Sequence, residues 1–313
     1  MRCSPVRPLA AACAAVIASG ALAACEVNLN TEGLSARETR SFKVTGRPDV
    51  VLDTFDGSVE VHSWDRDEVE VEIEKRAMEQ DLIDQITIDV EQEGNRVVVR
   101  VKGPADRERG ALTIGMHISP SARLRVAIPR AANLDVRSGD GSISVEEVGG
   151  RIVLATEDGR VTAARLSGDI HVRTFDGSIR FERVSGRLDV ETNDGSIGIQ
   201  GAPSALHVKT GDGSIRVRVD ADAAMVADWD VTTGDGTVVL TLPASFDAEV
   251  DAETSDGVVR SSHPSLRDDT GDRRRAVDRD DRRERRRTLR ATMGAGGKTI
   301  RVRTGDGSIR FES

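Results

Sequence analysis

The sequence predicts an all-β fold, a single-domain β-solenoid of the parallel β-helix-like kind with about 18 residues per coil and an antiparallel β cap near the N-terminus. The main observation is a repeat: Asp-Gly pairs occur nine times, and the five from Asp140 to Asp212 are each 18 residues apart. Composition agrees, because no Tyr, two Trp and six Phe are too few aromatics for a large globular interior. Val, Ile, Leu and Thr alternate around each pair, which is typical of short strands.

The N-terminus predicts export. Arg2 and Arg7 precede an Ala-rich apolar stretch that ends at Ala24 and has the length of a signal peptide rather than of a membrane span. Residues 1–24 are therefore expected to be removed. Cys3 and Cys13 would leave with them, so the mature chain would have no disulfide framework.

The tetrapeptide Leu-Ala-Ala-Cys at 22–25 resembles the lipobox of bacterial lipoproteins. This resemblance implies lipidation of Cys25, with palmitate among its acyl groups, and attachment to a membrane through that anchor. Glu26 after the cysteine implies the outer membrane if the host has two membranes. The alternative is an ordinary signal peptide followed by a chance cysteine.

Residues 25–40 are polar and lack periodicity, which predicts a tether between lipid and fold. Residues 41–130 are expected to form an N-terminal β region and cap. The alternation of Val69, Val71 and Ile73 with glutamates predicts a half-buried strand, and further strand signals follow at 86–90, 97–101, 112–118 and 124–128. We expect this segment to cover the apolar end of the stack.

Residues 131–261 are predicted to be the regular β-solenoid, because adding 18 aligns the residues into columns. Apolar columns flank each Asp-Gly pair, and a hydroxyl column precedes it. Identical residues in every column favour parallel, in-register stacking. A meander of hairpins is the alternative, since Asp-Gly is also a strong hairpin signal. Three columns are Leu134, Ile152, Ile170, Leu188 and Leu206; Ser138, Thr156, Thr174, Thr192 and Thr210; and Ile143, Val161, Ile179, Ile197 and Ile215.

The repeat loosens after residue 220, is restored at Trp229 and has a poorer copy around Asp256. Residues 262–299 are rich in Arg and poor in apolar residues, which predicts a disordered insertion. Residues 300–313 carry the terminal repeat strand.

The Thr-x-Asp-Gly-Ser-Ile repeats and the closing segment 296–309, Gly-Gly-Lys-Thr-Ile-Arg-Val-Arg-Thr-Gly-Asp-Gly-Ser-Ile, resemble the bacterial putative-adhesin family of β-strand-repeat proteins. The resemblance covers about residues 41–313. It implies a β-solenoid attached to the cell envelope and offers no catalytic motif to transfer. The Arg-rich insertion departs from the repeat pattern, so the resemblance implies nothing about it.

The turn and repeat positions are the recurring candidate residues. Each Asp is expected to cap its own turn by accepting backbone N–H bonds, and each Thr to join a hydroxyl ladder along the stack. Because stacked carboxylates repel, calcium bound by the Asp-Gly columns is the alternative, although one Asp per coil falls short of a calcium-binding β-roll repeat. The positions are Asp56, Gly57, Asp140, Gly141, Asp158, Gly159, Asp176, Gly177, Asp194, Gly195, Asp212, Gly213, Asp235, Gly236, Asp256, Gly257, Asp306 and Gly307.

Enzyme signatures are missing from the sequence: the five His show no paired metal spacing and no nucleophile elbow occurs. We therefore predict no catalytic residue, metal site or cofactor, with a polysaccharide-acting enzyme as the less favoured alternative. A functional site is expected where residues depart from the repeat, and the candidate residues of this kind are Phe55, Trp64, Glu157 and Arg160.

The predicted function is that of a lipid-anchored envelope protein with an adhesion or envelope-interaction role. Its partner is expected to be a protein or polysaccharide of the envelope, and open coil edges would permit self-association. The net charge of −9 argues against a nucleic-acid partner.

Overall fold

The computed structural model describes residues 26–30, 33–104, 119–266 and 287–313. Within these ranges the chain is almost entirely β-structure, with a single helix of six residues. The N-terminal elements are β1 (Glu26–Asn30), β2 (Gly33–Lys43), β3 (Asp49–Thr54), β4 (Val59–Trp64), β5 (Glu68–Ala77), α1 (Gln80–Gln85), β6 (Thr87–Glu93), β7 (Arg96–Lys102) and β8 (Ser121–Pro129).

The regular middle of the chain contains strands separated by short corners. They are β9 (Asn133–Ser138), β10 (Ile143–Glu146), β11 (Gly149–Thr156), β12 (Val161–Ala164), β13 (Ser167–Thr174), β14 (Ile179–Glu191), β15 (Ile197–Thr210), β16 (Ile215–Val219), β17 (Trp229–Thr233) and β18 (Val238–Thr241). The C-terminal strands are β19 (Ala248–Thr254), β20 (Val259–Ser261), β21 (Thr288–Met293), β22 (Thr299–Thr304) and β23 (Ile309–Glu312).

The coils stack in parallel and pair residues 18 apart. Strand β11 pairs with β13 so that Leu154 lies beside Val172 and Thr156 beside Thr174. The predicted β-solenoid is therefore confirmed, and the hairpin meander is wrong for the regular region. Parallel stacking is what gives each column one chemical class of residue, because each side chain packs on its equivalent in the next coil.

Two sheets face each other across the core. The first sheet precedes the Asp-Gly corners and has the order β6-β7-β3-β9-β11-β13-β14-β15-β17-β22-β19-β21. The second sheet follows the corners and has the order β1-β2-β5-β8-β4-β10-β12-β14-β15-β16-β18-β23-β20. Strands β14 and β15 run through both sheets, and the apolar columns of both sheets are buried between them.

A second corner lies on the side opposite each Asp-Gly corner. Its backbone is left-handed at Glu147, Arg165 and Arg183, with φ values of 60°, 55° and 54°. The next residue in each of these coils is a buried Val or Leu. The strained residue thus turns the chain so that an apolar side chain enters the core.

The N-terminal end of the stack does not follow the order of the chain. Strands β7 and β8 lie parallel outside β3 and β4, so part of 41–130 is itself a coil. The antiparallel covering consists of β6 on the first sheet and β5, β2 and β1 on the second. Of the strands expected in this segment, the one at 112–118 lies outside the described residues.

The expected tether at 25–40 is corrected, because residues 26–30 and 33–40 lie in strands. β2 pairs antiparallel with β5 from Leu34 to Lys43. Arg37 contacts Glu72 at 3.1 Å and Glu74 at 3.6 Å. Burial alone would raise the pKa of Glu74, but Arg76 and Arg37 outweigh it and lower that pKa. Edge pairing and charge complementarity, rather than apolar alternation, therefore order β2.

The last repeat in the sequence is not the last coil in space. Strands β22 and β23 lie between the coil of β17 and β18 and the coil of β19 and β20. Arg301 contacts Asp228 on one side at 3.1 Å, and Arg303 contacts Asp251 on the other at 2.8 Å. The inserted 300–313 repeat thus has charge pairs to the coils on both sides of it.

The two carboxylates that hold the inserted coil have lowered pKa values. The backbone N–H of Thr299 donates to Asp228, and with Arg301 it lowers the pKa of that carboxyl. Burial alone would raise the pKa of Asp251, but Arg303 and Arg290 outweigh burial and lower it. Both carboxylates are therefore held in the charged form that the arginines require.

The expected disordered insertion at 262–299 is corrected at its C-terminal side. Strand β21 pairs antiparallel with β19 and buries Leu289, Ala291 and Met293 against the end of the first sheet. This short alternation closes an otherwise open edge. Residues 267–286, which hold most of the arginines, lie outside the described residues.

We predict that Gly177→Ala destabilises the stack. A Cβ at position 177 would overlap the backbone carbonyl of Gly159 in the neighbouring coil, so two coils must separate. We expect a loss of about 1–3 kcal/mol in the free energy of unfolding, measured by urea denaturation. The matched control is Gly198→Ala, whose Cβ would meet nothing closer than 4.0 Å. Equal losses in both variants would contradict close approach as the reason for the glycine.

Candidate functional site

Each Asp-Gly corner is closed by the threonine that precedes it. The Thr174 hydroxyl donates to the carbonyl of Glu157 in the neighbouring coil at 2.9 Å and accepts from the N–H of Gly177 in its own corner at 3.1 Å. Thr192, Thr210, Thr233 and Thr304 repeat both contacts in their own coils. The hydroxyl column is thus a ladder that joins corner to corner.

Five of the aspartates do not have the capping role expected of them. In the part of the chain that the structure describes, the carboxylates of Asp140, Asp158, Asp176, Asp194 and Asp212 make no hydrogen bond or ion pair, and all five side chains point to solvent. The threonine takes the capping position because its hydroxyl can both donate and accept, whereas a carboxylate can only accept.

Asp56 at the first corner is the one half-buried member of the column. Burial raises its pKa, the backbone N–H of Gly57 opposes the rise, and the charge of Asp140 adds to it. Asp56 and Asp140 therefore repel each other, as expected for stacked carboxylates. Among the described residues, however, no carboxylate of an Asp-Gly corner belongs to a convergent group of three metal-ligating side chains.

The residue between the threonine and the aspartate varies and breaks the repeat. In successive coils of the stack it is Phe55, Gly139, Glu157 and Phe175. Two aromatic rings therefore lie three strand spacings apart, roughly 14 Å, on the same corner of the solenoid. Two of the candidate residues identified from the sequence, Phe55 and Glu157, therefore lie on the same corner.

These residues line a groove of about 520 Å³. The Phe55 ring packs beside the backbone of Gly103, which leaves no room for a side chain there, and Phe175 is 60% exposed. Gly139 and Ala155 contribute little side-chain bulk, so the groove stays open between the rings. Phe55 is partly buried and packs against the core, so Phe175 is the exposed ring of the groove. An exposed aromatic ring beside an apolar floor is characteristic of binding surfaces.

Charged side chains surround the apolar part of this aromatic groove. Arg137 contacts Asp135 at 3.1 Å, and Arg173 contacts Glu191 at 2.6 Å, so each guanidinium group has a carboxylate beside it. Glu157 has no side-chain partner among the described residues. The site can thus offer hydrogen-bond donors and acceptors around two ring faces.

The other two candidate residues, Trp64 and Arg160, lie outside the groove and make contacts that stabilise the fold. The Trp64 indole N–H donates to the carbonyl of Glu68 at 2.7 Å, and Arg66 lies 4.7 Å above its ring. Arg160 donates to the hydroxyl of Ser178 at 3.3 Å in the next coil. Sequence reasoning missed Phe175, although the signal was present as the second Thr-Phe-Asp-Gly phrase of the chain.

A family model described as Toastrack DUF4097 matches residues 49–312. The chain belongs to the Toastrack family. This match confirms the resemblance to a family of β-strand-repeat proteins, and the matched segment contains the described coils of the solenoid and the whole aromatic groove. No curated protein matches this Toastrack chain in sequence.

Three solved structures are similar to this Toastrack chain. A putative adhesin from Parabacteroides merdae is 10% identical with a TM-score of 0.46, over 88% of this chain and 96% of that chain. A putative adhesin from Bacteroides fragilis is 12% identical with a TM-score of 0.44, over 88% and 96%. A putative lipid binding protein from Parabacteroides distasonis is 11% identical with a TM-score of 0.35, over 88% and 97%. At such low sequence identities, the similarity to these structures is a similarity of fold alone.

In the residues that the Toastrack structure describes, no helix is long and apolar enough to cross a bilayer. The predicted site of lipidation, Cys25, lies outside the described residues.

We predict that Thr174→Val lowers the free energy of unfolding by about 1–3 kcal/mol, because the N–H of Gly177 loses its acceptor in a buried position. Val has nearly the same shape, so packing changes little. The control is Thr162→Val, which removes a hydroxyl that makes no hydrogen bond within the described chain. Thermal and urea unfolding measure the difference, and similar stabilities for the two variants would exclude the capping role.

Proposed function

We propose that this Toastrack protein is a lipid-anchored, non-enzymatic envelope protein that adheres to an envelope polysaccharide through the aromatic groove. The observation that carries the proposal is the pair of rings, Phe55 and Phe175, on one corner of an otherwise polar surface. The names of the structural neighbours, two putative adhesins and a putative lipid binding protein, suggest a non-enzymatic role at the cell envelope.

A polysaccharide fits the chemistry of the groove. A sugar ring has apolar C–H faces and polar hydroxyl edges, so it can pack on an aromatic ring while its edge makes hydrogen bonds. The groove likewise combines an apolar ring, the exposed Phe175, with the polar side chains of Arg137, Glu157 and Arg173 around it. Few polar groups around an apolar surface fix the orientation of a ligand.

The position of the groove supports a partner close to the membrane. It lies on the coils of β3, β9, β11 and β13, near the N-terminal end of the stack. Strand β1 forms the edge of the second sheet at that same end, and its first residue, Glu26, follows Cys25 directly. Lipidation of Cys25 would therefore hold the groove beside the polymers next to the membrane.

We expect Phe175→Ala to weaken polysaccharide binding roughly tenfold, because truncating an exposed aromatic anchor typically costs more than 1 kcal/mol. A bacterial glycan array identifies the ligand, and the dissociation constants of the native protein and of Phe55→Ala and Phe175→Ala are then compared. The control is Val226→Ala, which truncates an exposed apolar residue outside the groove. Binding that is equal in all four proteins, or binding to polypeptides alone, would contradict the proposal.

The anchor is tested separately. We expect Cys25→Ser to move the protein from the membrane fraction to the soluble fraction and to abolish incorporation of labelled palmitate, because stable attachment needs the acyl chains. The control is Cys3→Ser, which changes a cysteine of the predicted signal peptide and should leave both readouts unchanged. Membrane attachment that survives Cys25→Ser would exclude lipidation as the anchor.

A further inference from the structure

The outer face of the first sheet carries a column of alternating histidines and aspartates. His171, Asp189, His207 and Asp230 occupy equivalent positions on four successive strands. Glu191 lies two residues along the strand from Asp189 and therefore on the same face. The side chains are between 32% and 45% exposed, so solvent ions can reach them.

Three of these residues converge. One ligand atom from each of Asp189, Glu191 and His207 lies within 4.8 Å of the other two, which is the one such group among the described residues. The Nε2 atom of His207 is 3.9 Å from Oε1 of Glu191. Small rotations of half-exposed side chains would bring these atoms to the separations that a tetrahedral ion requires.

Two neighbouring side chains, Arg173 and Asp230, are placed to orient Glu191 and His207. Arg173 donates to Oε2 of Glu191 at 2.6 Å, which leaves Oε1 facing His207. The Oδ1 atom of Asp230 accepts from the Thr232 hydroxyl at 3.0 Å and lies 3.9 Å from Nδ1 of His207, on the ring side away from Glu191. It is therefore one small side-chain rotation away from a hydrogen bond to that nitrogen. A carboxylate on the second nitrogen is the usual support of a metal-binding histidine, because it fixes the ring and its tautomer.

Asp189 supplies an independent observation. Its Oδ2 atom lies 3.3 Å from Nδ1 of His171, whereas its Oδ1 atom is covered and has no hydrogen-bond partner. A covered carboxylate oxygen without a donor is costly, and a cation would satisfy it.

We propose that Asp189, Glu191 and His207 bind a divalent metal ion of the zinc class on the outer face of the first sheet. An imidazole nitrogen with two carboxylates suits Zn²⁺, whereas Ca²⁺ takes six to eight oxygen ligands and is a poor match. Three protein ligands leave a coordination position open to water or to a ligand from a partner. The ion also links the strands of two neighbouring coils.

The metal site does not depend on the proposed polysaccharide binding. The two sites share only Arg173, which lines the aromatic groove and holds Glu191. Either proposal, metal binding or polysaccharide binding, can therefore be contradicted by experiment while the other holds.

The test measures Zn²⁺ binding to the untagged full chain, purified in detergent and stripped with EDTA, by isothermal titration calorimetry. We expect one Zn²⁺ per chain, loss of that binding in His207→Ala and Asp189→Asn, and binding roughly 10–100-fold weaker in Asp230→Asn. Co²⁺ in place of Zn²⁺ should give the visible absorption of a low-symmetry site. His62→Ala, which removes an exposed histidine of the second sheet, should bind Zn²⁺ as the native chain does.

Circular dichroism and thermal unfolding in EDTA verify that the variants are folded. The proposal is overturned if the native chain does not bind Zn²⁺, or if His207→Ala and Asp189→Asn bind it as tightly as the native chain does. It is also overturned if Ca²⁺ displaces Zn²⁺ at comparable concentrations.

Discussion

Successive coils approach so closely at the Asp-Gly corner that the carbonyl oxygen of one corner occupies the space of a side chain in the next. A Cβ at Gly177 would overlap the Gly159 carbonyl, and the same contact recurs along the stack. The glycine does not serve a hairpin turn, since its backbone there is not left-handed. The close approach at Gly177 lets the Thr174 hydroxyl bond to its own corner and to the neighbouring coil. The spacing of the coils, their register and the capping of the corner are therefore linked through this one contact.

This contact explains why the regular part of the fold could be predicted. A side chain in a parallel stack packs on the equivalent side chain of the next coil. Leu154 and Val172 must therefore both be apolar and fill similar space, and this shared requirement produces the period in the sequence. The ends obey a different rule. The order of β22 between β17 and β19 depends on Arg301 and Arg303 meeting Asp228 and Asp251, and such charge pairs leave no period to detect.

Charge pairing also explains why β2 looked like a tether. Arg37 faces the glutamates of β5, so β2 adds to an open edge without an apolar stripe of its own. For the candidate site, a search for departures from the repeat identified Phe55 and Glu157. It overlooked Phe175, because that ring stands inside a well-preserved copy of the phrase. His207 was overlooked because its neighbours Asp189 and Glu191 are close in space but lie about one coil away in sequence.

The stack constrains inward columns and corners but leaves the outward positions free. Position 175 can be aromatic because the corner around it is already closed by Thr174 and Gly177. The strand that ends in Thr210 can likewise present His207 outward while its inward residues stay apolar. Each outward residue also has a neighbour about 4.8 Å away in the next coil, so single changes one period apart place two functional groups side by side. A solenoid of this kind can therefore acquire binding sites without altering the contacts that hold it together.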